Sequence, residues 1–317
     1  MNTYGRSRKL VIIVFVIIGI LILASDSTGK RVDDTFSPSG DIANLQIENG
    51  SVDFKIVEGD SFYVKGENLD ENSYTFAQEG DTLIIKVNKH NIEFFHFGLL
   101  DAPQRITLTI PRSIQFNSIK INNGSGDSIL ATNLIAKQCS ITVASGRVAA
   151  EAIQTETFDS SVGSGDFELK DLTANNIDAS VGSGDVVFGY VEADKMSMVV
   201  GSGDFTFKSL EARDCELEVG SGDIEGKNMH VLNMLAQTGS GDIYLKGALT
   251  GVSEFTCGSG DIDLNLEGDI DEYSFEIDGS DIEINGENYG KKYKSDTVMD
   301  KHLHLQENSG DIDVTIR

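Results

Sequence analysis

Aspartate is the residue whose spacing most invites chemistry in this chain. The tetrapeptide Gly-Ser-Gly-Asp ends at Asp127, Asp166, Asp185, Asp204, Asp223, Asp242 and Asp261, and from Asp166 onward the interval is 19 residues, five times in succession. Carboxylates repeated along one edge are hard oxygen ligands, so Asp166, Asp185, Asp204, Asp223, Asp242 and Asp261 form a candidate cation edge. If they point outward from stacked coils, neighbours lie ~4.8 Å apart. Unit charges at that separation repel by ~0.9 kcal/mol in water, so the row needs compensation. Backbone N–H groups of the glycine turns supply one form of it, and bridging Ca²⁺ the other. Turn capping is the reading the tetrapeptide favours. Glycine takes φ > 0 where a chain turns sharply, and Ser and Asp accept local N–H groups.

Other constellations are weaker. His302-x-His304 on a strand points two imidazoles one way and with Glu307 offers three ligands, but no further His or Cys sits at ligand spacing. Solenoid enzymes acting on polysaccharides gather Asp, Arg and Lys on one strand face. Here arginines occur singly, as at Arg147 and Arg213, and Trp is absent. The chain reads as a non-enzyme without catalytic residues, resident metal or cofactor. Cys139, Cys215 and Cys257 fall at inward positions, and the first two share a column ~19 Å apart, beyond disulfide reach. Two patches suit partners better. The aromatic run Ile92 to Leu100, with Phe94, Phe95 and Phe97, packs over the open end of the stack or, where exposed, offers a contact surface. Lys291, Lys292 and Lys294 form a basic cluster.

The apolar pattern defines the elements that must carry these groups. Counting the Asp as zero, apolar side chains recur at +1, +3, +6, +8, +11, +13 and +15; after Asp185 they are Val186, Phe188, Val191, Ala193, Met196, Met198 and Val200. A period of two marks half-buried strands, and the breaks in phase after +3 and +8 mark corners. Each repeat is three short strands around one coil, and stacked coils make a parallel β-solenoid, right-handed by the crossover rule. Degenerate copies at Ala144-Ser145-Gly146-Arg147, Gly279-Ser280-Asp281 and Ser309-Gly310-Asp311 bring the series to ten rungs. At ~4.8 Å per rung the rod is ~43 Å long. Residues 119–317 form this solenoid, with a loop insertion near 285–300. Residues 36–118 lack the beat but alternate like strands between Glu58-Gly59-Asp60 and Glu79-Gly80-Asp81 turns, which predicts a β meander. An open solenoid end exposes unpaired backbone, so this meander is assigned as its cap.

Composition bounds the partners. The 317 residues carry 25 basic and 51 acidic side chains, net −26, which excludes nucleic acid as a ligand. The hydrophobic content of 39% supports a buried core, and 33 glycines against 3 prolines suit a turn-rich β fold. Arg6, Arg8 and Lys9 precede an unbroken apolar run, Leu10 to Ala24. Residues 1–25 therefore read as one hydrophobic helix, either a retained signal anchor or a cleaved signal peptide. Basic residues on its N-terminal flank keep that end in the cytoplasm and the acidic bulk outside. The expected location is the cell membrane, with a single N-terminal span and an extracytoplasmic domain, or secretion if the signal is removed.

With these features assembled, the segment Ile106-Thr107-Leu108-Thr109-Ile110-Pro111, leading into stacked Ser-Gly-Asp turns, resembles the bacterial putative-adhesin family of unknown function. That family is related to the autotransporter-adhesin head GIN domain, and the likeness spans Phe36 to Arg317. The resemblance implies a β-solenoid, often tethered outside bacterial cells and in some members placed near envelope-stress systems. It brings no catalytic residues. The functional expectation is a non-catalytic, membrane-tethered, adhesin-like binding or scaffold module whose partner is a cell-envelope component or surface protein. The alternatives are an accessory or sensory protein of an envelope-stress pathway and a solenoid carbohydrate-active enzyme.

Overall fold

The computed structural model describes residues 30–88 and 103–317. The expected N-terminal helix and the aromatic run with Phe94, Phe95 and Phe97 lie outside the described residues. Among the described residues no helix is long and apolar enough to cross a membrane.

The fold is all-β. Its N-terminal strands are β1 (Arg31–Phe36), β2 (Asn44–Asn49), β3 (Asp53–Gly59), β4 (Tyr63–Asp70), β5 (Tyr74–Glu79), β6 (Thr82–Val87), β7 (Arg105–Pro111) and β8 (Gln115–Asn123). The body consists of β9 (Ser128–Val143), β10 (Val148–Val162), β11 (Phe167–Ser183), β12 (Val186–Ser202), β13 (Phe205–Ser221) and β14 (Ile224–Ser240). The C-terminal part holds β15 (Ile243–Leu249), β16 (Val252–Ser259), β17 (Ile262–Leu266), β18 (Tyr273–Ile284), β19 (Glu287–Lys294), β20 (Lys301–Glu307) and β21 (Asp311–Ile316), with one 3-10 turn at Ile270–Glu272.

Each body strand is one coil, and the 19-residue period is its register. Val186 pairs with Phe205, Met196 with Cys215 and Val200 with Val219, all parallel. The inward set of β12 is buried throughout, and a run of aromatic contacts threads the middle of the stack. Phe167 and Phe188 meet edge to face at 5.8 Å, as do Phe188 and Phe205 at 5.7 Å, a geometry that suits the ring quadrupoles. The 20-residue interval between Asp127 and Arg147 is absorbed by a register shift between β9 and β10 near Ala150 and Ala152, so the stack continues unbroken.

Both ends depart from the sequence-based expectation in the same way. A meander pairs consecutive strands, but of the strands in the N-terminal segment only β5 and β6 do so. Instead β2 lies parallel between β6 and β8, and β3 parallel between β7 and β9. Residues 44–59 thus form a rung wedged into the stack, its corner at Gly50-Ser51. The capping role falls to β4, antiparallel on β7, with β1 beyond it, and to β5 on β6. At the other end β20 lies between β16 and β18, and β21 between β17 and β18. In space the Asp311 corner therefore follows Asp261 directly, and the Asp281 corner is outermost. The predicted loop near 285–300 contains β19, which runs antiparallel over β18 as the closing strand. The physical reason is shared: a rung held on both edges satisfies its backbone, whereas a terminal rung leaves one edge open.

Candidate binding faces of the coil

The aspartate edge is built by the main chain. Each carboxylate accepts the N–H of the next aspartate along the stack: Asp204 donates to Asp185 Oδ1 at 3.1 Å, Asp223 to Asp204 at 3.0 Å, Asp242 to Asp223 and Asp261 to Asp242 at 2.8 Å. Asp185 donates to Asp166 at 3.3 Å, and Asp311 continues the series on Asp261 at 2.9 Å. The donor comes from the neighbouring coil and not, as the sequence suggested, from the same turn. Charge-assisted bonds of this kind offset part of the repulsion between stacked carboxylates. Arg147 interrupts the row and pairs with Glu168 at 2.5 Å. Among the described residues no group of three or more His, Cys, Asp or Glu is placed to hold a metal.

Glycine in these corners answers to close packing as well as to turn geometry. A methyl on Gly222 would overlap the Gly203 carbonyl, coming within 2.8 Å of its carbon and 3.1 Å of Asp204 Oδ1, at a φ of +137°.

The polar ends of the inward column beside the corners, the +15 position of the repeat, were missed by sequence reasoning. The column's register runs Asn49, Asn123, Val143 and Val162, and further along Val219, Thr238, Cys257 and Glu307. Valine fills the middle, and polar side chains sit at both ends, where Asn49, Asn123, Thr238 and Cys257 donate to corner carbonyls. Asn49 Nδ2 donates to Val52 O at 2.5 Å and to Asn123 Oδ1 at 2.8 Å, and Asn123 donates to Gly126 O at 2.5 Å. Glu307 is buried, its Oε2 accepting the Ser280 N–H at 3.0 Å while Oε1 has no partner among the described residues. Gly50-Ser51-Val52-Asp53 is the signal that could have revealed the extra rung, a corner with valine for the second glycine.

The other sequence-selected residues separate. His302 and His304 alternate with buried Leu303 and Leu305, whereas Glu307 is on the buried side, so the three do not converge. His302 Nδ1 meets Ser274 Oγ at 2.8 Å instead. On β19, Lys292 pairs with Asp278 at 2.6 Å and Lys294 with Glu276 at 3.0 Å, fastening the closing strand. The Lys294 hydrogen bond holds the Glu276 carboxyl below its ordinary range. Cys139, Cys215 and Cys257 are free and buried. Burial pushes the Cys139 and Cys215 thiols up to about 12, and burial followed by the Glu307 charge pushes Cys257 up to about 11.

Two shallow grooves run along the body across successive coils. One, of about 550 Å³, is lined by Thr173, Glu192, Glu211, His230 and the Asp194–Arg213 ion pair among others. The second, of about 650 Å³, carries Asp178, Lys195, Asp214, Glu216 and Val252. The ridge between them is cross-linked: Arg213 reaches Asp194 at 2.7 Å and Asp214 at 3.1 Å, and Asn233 donates to Asp214 at 2.8 Å. Its charged groups are engaged with one another, which suits a display surface more than acid–base work.

A stack of parallel coils with repeating outward columns defines a solenoid-like repeat protein. The chain belongs to the Toastrack DUF4097 family, whose model matches residues 42–159 and 154–315, a putative-adhesin family of unknown function. Among solved structures it is similar to a putative adhesin from Parabacteroides distasonis, with 13% identity, a TM-score of 0.51, and coverage of 90% of this chain and 98% of that one. It is also similar to a putative adhesin from Parabacteroides merdae, with 11% identity, a TM-score of 0.46 and coverage of 89% and 97%. A putative lipid binding protein from Parabacteroides distasonis is similar at 17% identity, with a TM-score of 0.47 and coverage of 75% and 94%. Among curated protein sequences nothing matches the chain.

Proposed function

We propose that this protein is a non-catalytic binding or scaffold module, tethered outside the membrane by its N-terminal apolar segment and projecting a right-handed coil stack from it. The observation that carries the reading is the repetition of outward positions at every coil, ~4.8 Å apart, over a continuous face. A surface of that kind contacts an extended partner at many equivalent points, each weak alone. The tether rests on Arg6, Arg8 and Lys9 before the run Leu10 to Ala24. Parallel strands joined by crossovers are right-handed in about 98% of cases, which supports the handedness. The test uses the full chain in bacterial cells stripped of wall or outer membrane. Added protease should degrade the coils while a cytoplasmic marker survives, and material from intact envelopes should be retained on the immobilised protein. Protection equal to the marker would overturn the topology, and absence of any retained envelope component would overturn the binding role.

A further inference from the structure

From the Asp166 corner to the Asp242 corner, the outward column four residues after the aspartate carries a different charge from the rest of the molecule. It holds Lys170, Lys208, Lys227 and Lys246, all exposed, with Gly189 standing in the place of a fifth. The last three lie on consecutive coils. Lys170 is paired with Glu151 at 2.6 Å and Lys227 with Glu225 at 2.7 Å. Lys208 and Lys246 have no carboxylate partner among the described residues, although acidic side chains outnumber basic ones 51 to 25 in the chain. Lys227, paired with Glu225, stands between Lys208 and Lys246, so the two lysines without a carboxylate partner lie two coils, ~9.6 Å, apart.

One tyrosine shares this face, and a second turns away from it toward Glu192 and Glu211. Tyr244, 38% exposed, stands two residues before Lys246 on the same side of β15. Tyr190, 36% exposed, follows the Gly189 gap, so no side chain at that position covers its ring. Its hydroxyl leans on Glu192 at 3.4 Å, and burial, followed by the Glu192 and Glu211 charges, raises its pKa. Exposed aromatic rings stack on the C–H faces of pyranoses, and lysines spaced one coil apart meet anionic groups that recur once per sugar.

We propose that this lysine and tyrosine face binds a linear anionic polysaccharide along the coil axis. The inference rests on the binding-module reading and names its ligand class. Carboxylates of successive uronic acid units sit on Lys208, Lys227 and Lys246, and a sugar ring rests on Tyr244. The acidic remainder of the molecule restricts the polyanion to this strip at an ionic strength of ~0.1 M, where the Debye length is ~10 Å.

The experiment measures binding of the full chain, held in detergent micelles, to polygalacturonate, with dextran as the neutral control. The expected result is binding of polygalacturonate and not of dextran. Affinity should fall at least tenfold in the triple variant Lys208→Gln, Lys227→Gln, Lys246→Gln, and severalfold in Tyr244→Ala. The change Lys137→Gln, at an exposed position of β9 away from this column, should bind as wild type. The single changes Lys208→Gln and Lys246→Gln remove no ion pair, so they carry the test if the triple variant folds poorly. Unchanged affinity in the lysine variants, equal binding of dextran, or binding only to anionic lipid vesicles would overturn the proposal. If the wild-type chain retains envelope material but ignores polygalacturonate, the ligand class is wrong and the binding role stands; if it retains neither, both fail.

Discussion

Replacing Gly222 by alanine tests whether the corners are set by contact between coils or by turn geometry alone. The added methyl meets the carbonyl of Gly203 on the coil beneath, 2.8 Å from its carbon, and φ is +137°. Overpacking of this kind costs ~1–3 kcal/mol and the backbone strain a further ~1–3 kcal/mol, so ~4 kcal/mol is expected. Gly290, at φ +76° and with nothing within 4 Å of where an alanine methyl would sit, isolates backbone strain from contact. Gly290→Ala should cost ~1 kcal/mol. With an unfolding entropy of ~2.1 cal/mol/K per residue, ~0.6 kcal/mol/K for the folded part, these become Tm losses of ~7 °C and ~2 °C by scanning calorimetry. Each coil touches only its neighbours, so the Gly222 variant should also show a broadened transition as the two halves uncouple. A Gly222→Ala loss no larger than that of Gly290→Ala would refute coil contact as the reason for glycine.

Three further outcomes follow from the same geometry. Asp204→Ala removes the acceptor of the Asp223 N–H and should cost ~1 kcal/mol in urea unfolding, whereas Asp204→Asn keeps an oxygen there and relieves charge, so it should be neutral or stabilising. Burial and then the neighbouring Asp313 carboxylate raise the Asp263 pKa, so the folded state binds that proton more tightly than the unfolded one and loses stability as pH rises between the two values. Asp263→Asn should therefore be more stable than wild type at pH 7, with the gap closing toward pH 4 in parallel urea titrations. The three buried thiols, their pKa values raised to about 11 or 12, should resist a thiol reagent at pH 8 until the chain is denatured, when all three react.

The body of the coil was legible in the sequence because one period fixes both burial and register. Val186, Phe188 and Met196 point inward and pair with residues 19 further on, as their spacing implied. The ends were not legible, because no local pattern states which strand a terminal rung will pair with. β2 reads as a half-buried strand in either arrangement, and its position between β6 and β8 is a long-range choice made by open hydrogen-bonding edges. The hydrogen-bonded Asn49–Asn123 pair was hidden for a related reason: 74 residues separate two side chains that lie on adjacent rungs. Among candidate functional groups, the aspartates were found and their donors misplaced by one coil. The lysine column went unnoticed because in sequence it is only one lysine per repeat.

The rungs wedged in near each end bear on how such a molecule changes length. Residues 44–59 and 301–317 lie beneath the capping strands and complete the closure at their own end, each engaging only the two or three coils nearest it. The coils between them, from β10 to β13, touch neither closure. A whole 19-residue unit can be added or lost there with both closures intact, each step changing the reach of the rod by ~4.8 Å. The length of the rod is then a quantity the gene sets in whole repeats, independent of what either end does.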